Sequence, residues 1–219
     1  MSASASAFAA TLALLATPLP AAAAELSVTV TLNGSSEPVA GAVVSTDSPQ
    51  KPAPVSAEIY QKDRAFHPRV LVVPVGSSVD FPNRDNTQHH VYSFSPAKTF
   101  SIELYAGRPE APIIFDKPGI VELGCNIHDY MQGFVVVTDT EAVARTNEAG
   151  QVRLAFDSRE AGDQSKVVLE VWHPRLPDNT RPVIREIDPG QPAIVSLSLK
   201  PEPVAGGSLN RLQQRFREL

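Results

Sequence analysis

The sequence has 219 residues, 42% of them hydrophobic and 20% charged, with a formal net charge of −5; this is a globular composition, outside the disordered and fibrous classes. Cys125 is the only cysteine, which excludes an intramolecular disulfide and any multi-cysteine zinc or iron–sulfur site, so packing has to hold the fold. A mild acidic excess without a Lys/Arg run in the body of the chain argues against nucleic acid as the main partner.

The first 24 residues are rich in Ala and Ser and carry no charge. An apolar stretch from Phe8 to Leu19 precedes Ala21-Ala22-Ala23-Ala24. The stretch is too short to span a membrane and the small residues suit signal-peptide cleavage, so residues 1–24 read as an export signal, although no Lys or Arg precedes the apolar part. Export would place the mature chain in the periplasm. No later segment is long and apolar enough to cross a bilayer.

From Glu25 onward the pattern is β: short Val/Ile/Thr-rich runs broken by 20 prolines and 12 glycines. Leu26 to Leu32 alternates, Asn33-Gly34 turns, and Ala42 to Ser45 resumes a strand. Ser48 to Pro54 is a proline-rich connector. Strands are then expected at Ala57–Gln61, Val70–Val75, Ser78–Phe81, His90–Ser93, Phe100–Leu104, Ile113–Phe115, Gly119–Leu123 and Gly133–Thr138. So many short strands between turns indicate an antiparallel sandwich or barrel rather than βα units. Further strands are expected at Val152–Leu154, Lys166–Trp172 and Ala193–Leu199. They are too few for a sandwich of their own, as is the first hairpin. The expected division is therefore a middle domain, residues 53–138, inserted into a second small β-sandwich made of residues 25–52 with 139–200. Residues 201–219 read as a linker and a short C-terminal helix capped by Ser208.

The chemistry is concentrated in Gly124-Cys125-Asn126-Ile127-His128-Asp129-Tyr130-Met131. Cys-x-x-His-x-x-Met puts a thiol, an imidazole and a thioether on one loop between two strands. Thiolate with two imidazoles and a weaker axial thioether is the donor set that suits copper cycling between its two oxidation states. The second imidazole is expected from Gln88-His89-His90-Val91, and because strand neighbours point to opposite faces, only one of His89 and His90 can serve. The bland reading, Cys125 as a buried core residue and Met131 as a gap filler, has to be set against the rarity of the spacing. His67 and His173, each followed by proline, read as structural or surface residues.

The segment from about Ala57 to Thr138 resembles a cupredoxin, the small blue-copper fold. The likeness rests on the loop above and on Phe66-His67-Pro68, Val75-Gly76-Ser77, Phe81-Pro82-Asn83-Arg84-Asp85 and His89-His90-Val91. The two-residue gap between His128 and Met131 is similar to that of amicyanins. The resemblance implies a Greek-key β-sandwich, one type 1 copper ion and the ligand set His89, Cys125, His128 and Met131, with His90 in the bracing position. Asp129 departs from the family, which tends to carry proline there, and puts a carboxylate beside the edge through which electrons usually pass. The wider pattern, including Val171-Trp172-His173-Pro174, is similar to exported bacterial proteins labelled methylamine utilization proteins, a label that carries no claim about methylamine. Pro38 to Val44 and Thr146 to Val152 are similar to carboxypeptidase regulatory-like sandwiches.

The function implied is one-electron transfer to or from a redox partner protein, without bond making to a substrate. The rival readings are a periplasmic copper carrier or sensor, and a Cys125–His128 nucleophile and base, which lacks an evident oxyanion device or orienting group. Backbone N–H groups of the Asn83–His90 loop are expected to face the Cys125 sulfur.

Overall fold

The structure, a computed structural model, describes residues 23–128, 130–157 and 166–202. Among the described residues there are seventeen strands and no helix. In chain order they are β1 (Ala23–Leu32), β2 (Val43–Thr46), β3 (Ser56–Glu58), β4 (Tyr60–Lys62), β5 (Ala65–His67), β6 (Val70–Pro74), β7 (Ser77–Asp80), β8 (His89–Ser95) and β9 (Lys98–Tyr105). There follow β10 (Ile113–Phe115), β11 (Gly119–Gly124), β12 (Gln132–Thr138), β13 (Val143–Arg145), β14 (Gln151–Asp157), β15 (Val167–Trp172), β16 (Val183–Ile187) and β17 (Ala193–Leu197). The expected export signal and C-terminal helix lie outside the described residues.

The strands fall into two sets. β14-β1-β17 and β13-β2-β15-β16 form one pair of sheets. The middle of the chain makes a five-stranded sheet, β6-β12-β11-β8-β9, facing β10-β7-β3, with the β4-β5 hairpin beside them. A hydrophobic core lies inside each set. Leu26, Val28, Val30, Leu169, Val171 and Trp172 belong to the first, and Phe66, Val79, Phe81, Val91, Phe115, Val121 and Leu123 to the second. The alternation of Leu26, Val28 and Val30 with Ser27, Thr29 and Thr31 explains β1 directly, because one face is buried and the other is more exposed.

β12 follows a different rule. From Gly133 to Thr138 every residue is buried, because Val135 and Val137 enter the core of the middle set while Phe134 and Val136 enter the other. A strand covered on both faces has no use for alternation, so its sequence is a continuous apolar run. Phe134 meets Trp172 edge to face, ring centroids 5.1 Å apart. Arg145 reaches from β13 to donate to the Val70 carbonyl at 3.4 Å. The outer face of β6 and β12 is thus roofed by the other pair of sheets.

Several short strands were not readable in advance. The expected Ala57–Gln61 strand is two pieces, β3 and β4, separated at Ile59, and β5, β13 and β16 are additional. Three-residue strands carry too little pattern to see, and β16 is an edge strand whose exposed and partly exposed residues show no buried face.

His173, at the end of β15, is buried, and its Nδ1 accepts the Arg175 N–H at 3.2 Å. Burial and the neighbouring cations Arg175, Arg69 and Arg145, opposed by Glu202, pull its pKa down to about 4. The folded chain therefore binds fewer protons than the unfolded one below the ordinary imidazole value, and stability falls as the pH drops from about 6.5 towards 4. In His173→Asn, whose Oδ1 replaces Nδ1, the loss of stability between pH 7 and pH 4.5 is expected to be smaller than in wild type by about 2–3 kcal/mol. Urea unfolding at the two pH values measures it, and parallel losses in both proteins would contradict it.

Candidate metal centre

β11 and β12 are antiparallel and their ladder ends at the pair Gly124 and Gln132. The seven residues Cys125 to Met131 close the hairpin, so the thiol and the thioether each lie one residue beyond the last ladder pair. The Met131 N–H donates to the His128 carbonyl at 2.9 Å and closes a turn in the loop. An aromatic ring lies on a glycine at each end of the loop. At Gly124 a Cβ would come within 2.7 Å of the Tyr92 ring, and at Gly133 within 3.0 Å of Phe66. Side chains at these two positions would push the rings away, so glycine is a packing requirement here.

β8 pairs with β11 through Tyr92 and Gly124, which sets His89 beside the loop. Along β8 the burial alternates: His89, Val91 and Ser93 point inward, His90, Tyr92 and Phe94 outward. His89 is fully buried and its Nδ1 lies 3.7 Å from Cys125 Sγ. His128 Nδ1 lies 3.6 Å from the same sulfur, and the two imidazole rings are 5.0 Å apart. One ligand atom from each of His89, Cys125 and His128 falls within 4.8 Å of the others. Met131 is buried in the same core as Cys125. His90 is on the opposite face, its Nε2 3.0 Å from Ser101 Oγ. His67 stacks on Tyr60 at 5.2 Å, and its Nε2 bonds the Lys62 carbonyl.

These distances fit a metal. With bonds of about 2.0 Å to nitrogen and 2.3 Å to sulfur, the values usual for zinc, angles between tetrahedral and trigonal separate S from N by about 3.5–3.7 Å. The observed 3.6 and 3.7 Å match that edge. The chemistry of the set, one thiol and two imidazoles with a thioether nearby, fits copper. Burial, the charge of His89 and that of Arg64 pull the His128 pKa down, against the opposing Asp85. The neutral imidazole that metal binding needs is thereby favoured.

The loop before β8 does not behave as expected. Among the described residues the hydrogen-bonding neighbours of Cys125 Sγ are the two imidazole nitrogens. The loop's polar groups bond elsewhere: Asn83 donates to the Thr87 and Tyr105 carbonyls and accepts the Asp85 N–H. Asp85, which the sequence did not single out as a site residue, lies 2.8 Å from His89 Nε2. An acid four positions ahead on a loop has no periodicity to betray it. Around His128, Ile127 and Tyr130 are 47% and 67% exposed, while Asp129 lies outside the described residues.

No protein-family model and no curated protein matches the chain. Among solved structures it is similar to a copper-containing nitrite reductase from Thermus scotoductus, with 28% identity and a TM-score of 0.35 over 41% of this chain and 23% of that one. It is similar to a purple cupredoxin from Nitrosopumilus maritimus, with 22% identity and a TM-score of 0.33 over 37% of this chain and 99% of that one. A third is amicyanin from Paracoccus versutus, with 16% identity and a TM-score of 0.33 over 43% of this chain and 97% of that one. The chain thus spans less than a quarter of the nitrite reductase.

The placement of the two neighbouring histidines yields a direct expectation. His89→Ala is expected to weaken copper binding by more than about a hundredfold, beyond the usual cost of losing an outer partner, whereas His90→Ala leaves it nearly unchanged. Competition against a calibrated chelator measures both, and equal losses would contradict the geometry.

Proposed function

We propose that the chain is a periplasmic type 1 copper protein that holds one copper ion and passes single electrons. The observation that supports it is the approach of one buried thiol and two imidazole nitrogens to within the edge length of a trigonal centre. His89, Cys125 and His128 would hold the metal, with Met131 as the thioether donor from the same core. Copper supplies a one-electron couple when bound. The protein's part is to keep the donors in place and water out: Cys125, Met131 and His89 are buried, and Tyr92 and Phe66 clamp the loop ends against movement. Donors held in one arrangement suit both oxidation states, which keeps the reorganisation on electron transfer small. The edge of His128 is partly exposed beside Ile127 and Tyr130, a face suited to brief contact with a redox partner protein. No bond is made to a substrate, so the chain is not an enzyme on this reading.

The periplasmic assignment rests on the leader of residues 1–24. The separation of the strands into two sets, each with its own core, supports treating residues 53–138 as a cupredoxin domain. On this reading residues 25–52 with 139–200 are a regulatory-like sandwich roofing its sheet.

Loading the purified mature protein with Cu(II) is expected to give an intense blue thiolate-to-copper band that disappears in Cys125→Ser. A colourless wild-type protein would sink the proposal. Retention of both Cu(I) and Cu(II) against a chelator is expected for the electron-transfer role, whereas ready loss of one state would mark a carrier instead.

A further inference from the structure

The Asp85 carboxylate is fully engaged, and the nature of its partners fixes its role. Oδ1 accepts the Asp63 N–H at 2.8 Å, and Oδ2 accepts the Arg64 N–H at 3.0 Å. Oδ2 also lies 2.8 Å from His89 Nε2. Backbone N–H groups can only donate, so both oxygens act as acceptors, as an ionised carboxylate does. His89 Nε2 must then carry a hydrogen, so in the neutral ring it is Nδ1 that keeps the lone pair, on the side that faces Cys125 Sγ. The turn that supplies the two N–H groups is itself unusual. Asp63 and Arg64, between β4 and β5, are consecutive non-glycine residues with φ of 53° and 57°. The left-handed region is unfavourable for both, and in this turn their N–H groups meet the two oxygens of one carboxylate. The Asp85 side chain is only 10% exposed, so its charge is poorly screened from the site.

We propose that Asp85 is a positioning residue that fixes His89 as the Nε2–H tautomer with Nδ1 turned to the metal, and that its charge favours Cu(II) over Cu(I). The proposal rests on the copper reading above and adds the group that orients one ligand and biases the couple. An anion held against a ligand attracts the dication more than the monocation, and a carboxylate behind a ligating histidine also raises its basicity. Both effects lower the reduction potential.

Two measurements test it. In the metal-free wild type, nitrogen NMR of the histidine rings at neutral pH is expected to show His89 as a single tautomer protonated at Nε2. In Asp85→Asn, which keeps one acceptor oxygen and turns the other oxygen position into a donor, the three donors can no longer all be accepted and the two tautomers are expected to mix. In the copper-loaded proteins, Asp85→Asn is expected to lower the ratio of Cu(II) to Cu(I) affinity by about tenfold or more, a rise of about 59 mV for a one-electron couple. Asp85→Glu keeps the charge and is expected to stay close to wild type; it carries the charge comparison if Asp85→Asn does not fold. A wild-type His89 protonated at Nδ1 would overturn the positioning role, and an unchanged affinity ratio in Asp85→Asn, or an equal shift in Asp85→Glu, would overturn the charge effect. A wild-type protein without the blue band defeats the copper reading instead, and the metal-free tautomer still decides the positioning role.

Discussion

Closure of the β11–β12 hairpin by Cys125 to Met131 is the constraint on which the rest depends. Antiparallel pairing up to Gly124 and Gln132 forces the two ends of the loop together, so a thiol and a thioether six positions apart enter one core. The same pairing carries β8 along through Tyr92 and Gly124. Strand alternation then decides which of two adjacent histidines faces inward. Two segments, β8 and the β11–β12 loop, therefore bring together donor atoms from positions 36 apart, His89 and Cys125, through ordinary sheet geometry.

The second pair of sheets bears on this arrangement through β12. That strand is buried on both faces, with Phe134 and Val136 in one core and Val135 and Val137 in the other. Removing the roof would expose Phe134 and Val136 together with Val70 and Ile120, an apolar patch that a soluble domain seldom leaves open. A freely diffusing single sandwich is thus a poor description of the middle segment. Its sheet is anchored through β6 and β12, while the outer face of β8 bears the ring row His90, Tyr92 and Phe94, of which Phe94 is exposed.

The candidate donors were legible in the sequence because rare residue types carry their own signal: one cysteine, one internal methionine and few histidines. The parity of His89 and His90 told that only one could turn inward, and the geometry places His89 with Cys125 and His128. What was illegible depends on backbone shape or on loops. The Asp63-Arg64 turn lacks the Asn-Gly or Asp-Gly chemistry that marks left-handed hairpin turns, so neither the β4-β5 hairpin nor its aim at Asp85 could be foreseen. The expectation that backbone N–H groups of the Asn83–His90 loop would face the thiol fails for a related reason. Asn83 holds that loop together through the Thr87 and Tyr105 carbonyls and the Asp85 N–H, and the loop's own carboxylate turns to His89. The all-β class needed none of this detail, since alternation in β1 and a two-faced apolar run in β12 already announce strands.

On the proposed reading one sulfur and two nitrogens meet a single copper ion. X-ray absorption at the copper edge on the loaded protein tests it most directly. The expected first coordination sphere holds one short copper–sulfur bond and two histidine nitrogens, retained on reduction. A sphere of oxygen and nitrogen neighbours without sulfur would contradict it.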